Sequence, residues 1–169
     1  SAPGGKTLHA ADLLKGTGRV EARDLTEYKI SLVEQNLFRC GFANVETKVW
    51  DARIFDPEME EKADVVLADL PCSGLGIIGK KPDIKLRLKK EDLGELASLQ
   101  REILSAASRY VKPGGTLLYS TCTVDRAENE ENAAWILENL PFHKKDITGR
   151  LPGSLQADCR ENQIQLLPG

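Results

Sequence analysis

The sequence predicts an α/β fold in which a mostly parallel sheet is flanked by helices. Segments typical of β-strands alternate along the chain with segments typical of amphipathic helices, as in proteins built from βαβ units. The clearest strand, over residues 63–68, is almost continuously apolar, which is typical of a parallel strand covered by helices on both faces. With 169 residues, the chain is expected to form one domain over residues 1–169.

Each predicted element rests on apolar periodicity and on residues that can begin or end it. Thr26 is a typical helix N-cap residue, and Gly41 is a typical helix stop. A Lys-Pro-Gly-Gly turn at residues 112–115 is expected to end the longest helix. The predicted elements are helices over residues 6–14, 26–38, 92–111 and 125–140, and strands over residues 19–24, 45–50, 63–68 and 116–119. Residues 141–169 show no clear pattern.

The two ends of the sequence look like cuts through a longer chain. The Ala-Pro-Gly-Gly-Lys-Thr string at residues 2–7 reads as a loop that enters a helix, and such a loop normally follows a strand. At the other end, an apolar alternation begins over residues 163–167 and stops at Gly169. We therefore expect a fold truncated at both ends. The alternative is a natural protein whose mature N-terminus is Ser1.

Composition excludes several classes of protein. No apolar run approaches the length of a membrane helix, and no secretory signal pattern is present, so we expect a cytoplasmic protein that binds no membrane. The four cysteines have no Cys-x-x-Cys spacing, so we predict reduced thiols and no metal site. We also expect a monomer.

A basic segment over residues 79–90 stands out from a chain whose net charge is −3. It holds six lysines and arginines against one acid, Asp83. Such a segment is either a solvated loop or a loop that contacts phosphates, and its position directly after Cys72 favours the second interpretation.

Two cysteine motifs follow predicted strands. Asp69 begins the string Asp-Leu-Pro-Cys-Ser-Gly that contains Cys72, and Cys122 lies in the string Tyr-Ser-Thr-Cys-Thr. In open parallel sheets, ligands bind at the carboxyl ends of the strands. Both thiols and one carboxylate are therefore predicted at a ligand-binding edge. The alternative for any single cysteine is a small buried apolar residue.

This set of groups suits methylation of carbon 5 of a pyrimidine. That carbon is too weak a nucleophile to accept a methyl group unaided, but a thiolate added to carbon 6 makes it enamine-like. Carbon 5 then attacks the methyl group of a sulfonium, whose carbon–sulfur bond breaks, after which a base removes the carbon 5 proton and the thiolate leaves. The addition also needs an acid near ring nitrogen 3, a role that Asp69 fills if its carboxyl is protonated or hydrogen-bonded there.

A nucleoside cofactor is indicated by the first third of the chain. The glycine-rich string at residues 2–7 allows close backbone approach at a helix N-terminus. Asp24, at a strand end, is a candidate for ribose hydroxyls, and Asp51, after the next strand, is a candidate for an adenine amino group. Two carboxylates disfavour a phosphorylated cofactor and favour a cationic one. S-adenosylmethionine fits because it has a ribose, an adenine and a sulfonium, and it lacks phosphates. The alternative for each aspartate is a helix-capping or surface residue. The alternative for residues 2–7 is a P-loop nucleotide site.

Three motifs together resemble one known family. They are the string at residues 2–7, the Cys72 motif with Pro-Asp-Ile-Lys at residues 82–85, and the Cys122 motif with Glu-Asn-Glu at residues 128–130. The chain is similar over most of its length to the RNA 5-methylcytosine methyltransferases. The similarity is greatest to bacterial members of the Fmu or Sun type, methyltransferase B, which act on 16S ribosomal RNA.

The resemblance implies a Rossmann-like class I fold that uses S-adenosylmethionine to methylate carbon 5 of a cytosine in 16S ribosomal RNA. It implies that Cys122 is the nucleophile and that Cys72 assists release of the methylated RNA. Asp69 is implied to contact the cytosine edge and to lie near the methionine end of the cofactor. The cofactor-binding residues are then expected to be Ser1, Ala2, Pro3, Gly4, Gly5, Lys6, Asp24, Lys29, Asp51 and Asp69.

Departures from the family pattern leave alternatives open. Leu86 stands where an aromatic residue is common, and the strand that usually precedes residues 2–7 is absent. That strand is usually central in the sheet, so we expect the isolated chain to bind cofactor poorly and to have little activity. A transfer-RNA cytosine methyltransferase and a non-catalytic RNA-binding scaffold remain the alternative functions.

Overall fold

The structure is a computed structural model that describes residues 1–166, and it contains two compact units. The units comprise Ser1–Glu58 and Met59–Gly169. Strands and helices alternate in both, and the two longer strand pairs are parallel, which confirms the predicted α/β class. Among residues 1–166, no helix is long and apolar enough to cross a membrane. No group of three or more histidines, cysteines or carboxylates in that range could hold a metal ion.

The first unit is built from two helix–strand pairs. Its elements are α1 (Gly5–Leu14), β1 (Val20–Asp24), α2 (Glu27–Cys40) and β2 (Val45–Val49), and a 3₁₀ turn follows at Pro57–Met59. Strands β1 and β2 run parallel, from the pair Val20 and Val45 to the pair Asp24 and Val49. The core packs Ala22 of β1 against Val33 and Leu37 of α2.

Helix α2 begins and ends where its sequence predicts. The Thr26 hydroxyl oxygen accepts the backbone N–H of Lys29 at 3.3 Å, which satisfies one of the free donors of the first turn. Gly41 has a φ of 72°, a left-handed conformation that glycine adopts without strain, and its N–H bonds back to the last turn. These two residues set the point at which the chain leaves β1 and approaches β2.

The second unit carries the two cysteine motifs. Its main elements are β3 (Ala63–Asp69), α3 (Ile84–Arg87), α4 (Lys90–Ser108), β4 (Val111–Ser120) and α5 (Glu130–Asn139), with a 3₁₀ turn at Leu75–Ile77. Strands β3 and β4 are parallel. Buried Ala68, Leu104 and Ile136 join β3, α4 and α5 in one core.

Small elements occupy the region for which the sequence predicts none. They are a 3₁₀ turn at Thr148–Arg150, α6 (Gly153–Gln156), β5 (Cys159–Arg160) and β6 (Gln163–Ile164). Strands β5 and β6 pair antiparallel. The apolar alternation noted at residues 163–167 therefore coincides in part with β6, while residue 167 lies outside the described residues.

Three boundary predictions are wrong. Helix α4 ends at Ser108, and β4 already begins at Val111, so the Lys-Pro-Gly-Gly segment belongs to a strand. An irregular register opposite Ala63 and Val65 accommodates it. Helix α5 begins at Glu130 and not at residue 125, because the Asp125 carboxylate accepts the N–H of Ala127 and forms a turn there.

The prediction that β3 is covered on both faces is also wrong for this chain. Ala68 is 4% exposed, but Val65 is 57% and Leu67 is 45% exposed. On β4, Leu118 is 52% exposed. The apolar run is therefore a reliable sign of a parallel strand here, but one face of the β3–β4 pair is open in the described residues.

Candidate active site at the ends of two parallel strands

The site in the second unit begins where β3 and β4 end side by side. Asp69 and Ser120 are paired residues of the parallel ladder. The Ser120 hydroxyl donates to the Asp69 carboxylate at 3.0 Å, and the Leu70 N–H donates to the Ser120 carbonyl at 3.2 Å. The two motifs therefore leave the sheet together, which is what brings their cysteines to one place.

The two thiols are in contact. The Sγ atoms of Cys72 and Cys122 are 3.2 Å apart, and the backbone N–H of Cys122 donates to the Cys72 sulfur at 3.2 Å. Both cysteines are free thiols, and Cys122 is the more exposed of the two. The prediction that the two strand ends gather both cysteines is confirmed by this geometry.

The two cysteines differ in environment. Burial raises the pKa of the Cys72 thiol to about 11, and the hydrogen bond and charge of the Cys122 side chain act in the same direction. The N–H groups of Cys122 and Gly74 oppose that shift only in part. Cys72 therefore keeps its proton at neutral pH and can donate a hydrogen bond to the exposed Cys122 sulfur.

Gly76 fixes the Cys122 main chain. Its N–H donates to the Cys122 carbonyl at 3.1 Å. A Cβ added at Gly76 would lie 2.9 Å from that same oxygen, which is closer than real side chains approach a backbone atom. The close contact between these two loops therefore requires glycine at this position.

A buried carboxylate lies under the Cys72 loop. Glu128 is 0% exposed and accepts the N–H of Ser73 at 3.0 Å and the side-chain amide of Gln100 at 2.7 Å. The same Gln100 amide also donates to the Pro71 carbonyl at 2.9 Å. Sequence reasoning used Glu128 only as part of a motif and missed Gln100. The Glu-Asn-Glu string after the Cys122 motif is the one signal that pointed here.

Side-chain hydrogen bonds also hold the loop around Cys122, residues 121–123. Asn129 accepts the Thr121 hydroxyl at 2.6 Å and donates to the Thr123 carbonyl at 3.0 Å, so it spans the residues on either side of Cys122. The hydroxyls of Ser73 and Thr123 lie 2.6 Å apart and link this loop to the Cys72 loop. Side-chain hydrogen bonds therefore hold both loops where backbone pairing has ended.

A cleft of about 490 Å³ opens beside Cys72. It is lined by residues of α3 and α4, among them Ile84, Leu96 and Leu99, and by the charged side chains of Arg87 and Glu95. Apolar walls with a few charged groups are typical of small-molecule pockets.

In the first unit, Asp24 gathers the predicted loop residues. Its carboxylate accepts the N–H of Ala2 at 2.9 Å, and the Ser1 nitrogen lies 2.6 Å and the Lys29 ammonium 3.3 Å away. Burial acts to raise the pKa of Asp24, but hydrogen bonds, among them those from the backbone N–H groups of Ala2 and Leu25, outweigh it and hold that pKa below its usual range. Asp24 is therefore a carboxylate throughout the neutral range.

The glycine-rich loop leads directly into α1. Gly4 is buried with a φ of 113°, and a Cβ there would meet Val33 at 3.5 Å. The Pro3 carbonyl accepts the Asn36 amide at 2.8 Å, while Gly5 and Lys6 form the exposed first turn of α1. A carboxylate beside a tight loop and a helix N-terminus is a donor and acceptor set that fits a nucleoside cofactor.

Asp51 is not gathered with these residues. Its carboxylate binds the guanidinium of Arg53 through both oxygens, with a shortest distance of 2.6 Å. The hydrogen bonds from the Arg53 side chain and backbone lower the pKa of Asp51 to about 2. Its predicted contact with adenine stays a prediction, and it would require Arg53 to share or release the carboxylate.

The fold and the thiol pair define an α/β protein with two cysteines at the carboxyl ends of its parallel strands. A profile of the family described as "16S rRNA methyltransferase RsmB/F" matches residues 1–169, so the chain belongs to that family. The resemblance read from the three motifs is thereby confirmed.

Curated relatives agree with this assignment. "Probable ribosomal RNA small subunit methyltransferase B" of Bacillus subtilis (strain 168) is 39% identical over 171 residues, covering 99% of this chain and 38% of the relative. "Ribosomal RNA small subunit methyltransferase F" of Escherichia coli O7:K1 is 38% identical over 170 residues, covering 99% of this chain and 36% of the relative. The chain thus spans little more than a third of the length of these relatives.

Solved structures support the fold. PH0851 matches with a TM-score of 0.78 and 40% identity, over 86% of this chain and 35% of that one. NSun6 from Pyrococcus horikoshii, solved with SFG, matches with a TM-score of 0.70 and 30% identity, over 86% of this chain and 39% of that one. Together with the parallel strand pairs, these likenesses confirm the predicted Rossmann-like methyltransferase fold.

Proposed function

We propose that this chain is part of the catalytic domain of an enzyme that methylates carbon 5 of a cytosine in 16S ribosomal RNA. The observation that carries the proposal is the contact of 3.2 Å between the Cys72 and Cys122 sulfurs at the ends of β3 and β4. A structural role needs neither thiol to be accessible, whereas Cys122 is exposed. The names of the curated relatives support ribosomal RNA of the small subunit as the substrate.

Cys122 is the nucleophile in this proposal. Its thiolate adds to carbon 6 of the cytosine, forming a carbon–sulfur bond and moving electron density onto carbon 5. Cys72, which keeps its proton, donates a hydrogen bond to the Cys122 sulfur before the addition. We assign to Asp69, held by Ser120 at the strand end, the role of the acid that donates its carboxyl proton toward ring nitrogen 3 as negative charge develops on the ring, because a bare carboxylate would repel that charge.

Release reverses the addition. Once carbon 5 carries the methyl group, a base takes the carbon 5 proton, the electron pair reforms the ring double bond, and Cys122 leaves as a thiolate. We assign assistance in this elimination to Cys72, because its sulfur lies next to the one bonded to carbon 6. The target base has to leave its stack to reach both sulfurs, as in other enzymes that modify bases.

S-adenosylmethionine, when bound, supplies an electrophilic methyl group on a sulfonium centre. The residues of the first unit fit it: Asp24 offers a permanently charged carboxylate for ribose hydroxyls, and the loop that ends at Lys6 offers backbone N–H groups. SFG, found with the NSun6 relative, is an analogue of this cofactor. Residues Ser1 to Lys6, Asp24, Lys29, Asp51 and Asp69 are proposed as its binding set.

Covalent trapping in the full-length protein tests the assignment of the cysteines. Cys72→Ala and Cys122→Ala variants are incubated with S-adenosylmethionine and 16S ribosomal RNA, and denaturing gels are used to detect protein joined to RNA. We expect an adduct to accumulate with Cys72→Ala, because addition proceeds and elimination is slowed. We expect no adduct with Cys122→Ala. The matched control is Cys40→Ala, which removes an exposed thiol in the first unit and is expected to behave as wild type.

The reverse pattern would exchange the two roles. Unimpaired methylation by Cys122→Ala would end the covalent mechanism, whereas RNA binding with no methylation by the wild-type protein would favour a non-catalytic RNA-binding scaffold. Binding of radiolabelled S-adenosylmethionine by wild type and Asp24→Asn separately tests the cofactor site.

A further inference from the structure

The Glu128 carboxylate joins the Cys72 loop to two helices through a continuous set of buried hydrogen bonds. Arg101 donates to the side-chain oxygen of Asn132 at 2.7 Å, so the Asn132 amide nitrogen faces Gln100 and donates to its oxygen at 2.7 Å. The Gln100 nitrogen is then directed at Glu128, 2.7 Å away. A cation at one end and a carboxylate at the other therefore fix the orientation of both amides.

At its carboxylate end, this set of hydrogen bonds holds the loop around Cys72, residues 71–73, in place. Both Glu128 oxygens lie within 3.3 Å of the Ser73 N–H, and Gln100 holds the Pro71 carbonyl at 2.9 Å. The residues on either side of Cys72 are thus bound to the interior, while the Cys72 side chain faces Cys122. The Tyr119 hydroxyl, which contacts the Glu128 carbonyl, ties the same residue to β4.

We propose that Glu128 is a positioning residue that sets the distance between the Cys72 and Cys122 thiols. The inference rests on the proposed function, because it gives Glu128 a catalytic consequence only if these thiols react with RNA. Ser73 and Gln100 both present donors, and a carboxylate, which only accepts, satisfies both. Both donors make their shortest bonds to the same Glu128 oxygen, Oε2, and the other oxygen also faces the Ser73 nitrogen at 3.3 Å. A glutamine with its oxygen in the place of Oε2 would set its NH₂ group against the Ser73 N–H, a donor against a donor, and would remove the charge that strengthens both bonds.

The test measures the proximity of the thiols directly in the full-length protein. Diamide takes two electrons and two protons from a thiol pair, and peptide mass spectrometry measures the rate at which the Cys72–Cys122 disulfide forms. For Glu128→Gln we expect this rate to fall about tenfold or more, because a small misplacement sharply reduces the probability of reaction. Alkylation of Cys122 by iodoacetamide, which needs one thiol alone, is expected to change less than about threefold.

Two further variants separate positioning from general damage. Glu131→Gln makes the same chemical change at an exposed residue three positions along the chain, and it is expected to form the disulfide at the wild-type rate. Glu128→Asp keeps the charge with a shorter reach, and it is expected to give an intermediate rate. Circular dichroism confirms that each variant is folded, and Glu128→Asp decides the question if Glu128→Gln does not fold.

Turnover provides the second readout. Glu128→Gln is expected to lower kcat for RNA methylation about tenfold or more with little change in the KM for RNA, because the thiols act in the chemical step. A folded Glu128→Gln protein that forms the Cys72–Cys122 disulfide at the wild-type rate would overturn the inference. If no adduct forms with Cys72→Ala while the disulfide rate still depends on Glu128, the proposed function falls and the positioning role stands.

Discussion

Gly76 shows how one residue without a side chain controls the position of the loop that carries Cys122. Its N–H binds the Cys122 carbonyl at 3.1 Å, and an added Cβ would lie 2.9 Å from that oxygen. Backbone has to move to accept it, because the atom in the way is not the end of a flexible side chain. We expect Gly76→Ala to lower the free energy of unfolding by about 1–3 kcal/mol and methylation kcat about tenfold.

The matched control is Gly79→Ala, three residues away, where an added Cβ meets nothing within 4 Å. Its effect on the free energy of unfolding is expected to stay within about 0.5 kcal/mol. Thermal unfolding and steady-state methylation of the full-length protein measure both variants. Equal behaviour of the two alanine variants would show that the close approach at Cys122 is not required.

Residues differ in how far the sequence alone predicts their place. Cys72 and Cys122 could be predicted to meet, because each follows a strand and parallel strands end at one edge of a sheet. Glu128 could not be placed in the same way, since its partner Ser73 lies 55 residues away and Gln100 lies 28 residues away. A buried hydrogen-bond partner has no periodic pattern that points to it. For Asp51, the strand end was predicted but its engagement by Arg53 was not.

At the scale of elements, one glycine that ends a helix and another that lies inside a helix predict opposite effects of the same substitution. Gly41 ends α2 with a φ of 72°, so an alanine there takes on left-handed strain. Gly94 lies inside α4, exposed and with no atom within 4 Å of an added Cβ. We expect Gly41→Ala to destabilise the protein by about 1 kcal/mol, and Gly94→Ala to stabilise it by about 0.5–1 kcal/mol.

Chemical denaturation of the full-length protein measures both changes. Because the two substitutions add the same atoms, a shared sign would mean that side-chain volume, and not backbone conformation, decides the result. The expected opposite signs would confirm that α2 ends at Gly41 and that α4 continues through Gly94.

Element boundaries were predictable where a local group decides them. Thr26 and Gly41 act through hydrogen bonds within a few residues, and the sequence correctly predicts both ends of α2. Strand β4 depends instead on a partner distant in sequence. The segment at residues 112–115 has the composition of a turn, yet pairing with β3 extends the strand through it. Tertiary pairing here outweighs local propensity.

For the whole molecule, charge distribution matters more than net charge. The chain carries a net charge of −3, so its total charge does not favour a polyanion such as RNA. Within residues 79–90, however, the side chains of Lys80, Lys81, Lys85, Arg87 and Lys89 are all exposed. This segment belongs to the same unit as both cysteines, and Ile84 and Arg87 line the cleft beside Cys72. We therefore expect it to contact phosphates of the RNA.

Salt dependence of RNA binding tests this expectation. Each phosphate contact that is lost lowers the slope of log affinity against log salt by about 0.7 for single-stranded nucleic acid. A Lys80→Gln/Lys81→Gln variant should therefore bind RNA more weakly at low salt and lose about 1.4 from that slope. Fluorescence anisotropy with a 16S ribosomal RNA fragment, measured on the full-length protein from low to moderate salt, gives both quantities.

The control variant also removes two positive charges, but it removes them near the amino ends of β3 and β4. Lys62 precedes β3 and Lys112 lies at the start of β4, so both are far along the strands from the carboxyl ends that carry the cysteines. Lys62→Gln/Lys112→Gln should leave the slope unchanged. An equal loss of slope in both double variants would mean that RNA senses the overall charge of the molecule. A loss confined to Lys80 and Lys81 would place the RNA backbone along the segment that leads from the Cys72 loop.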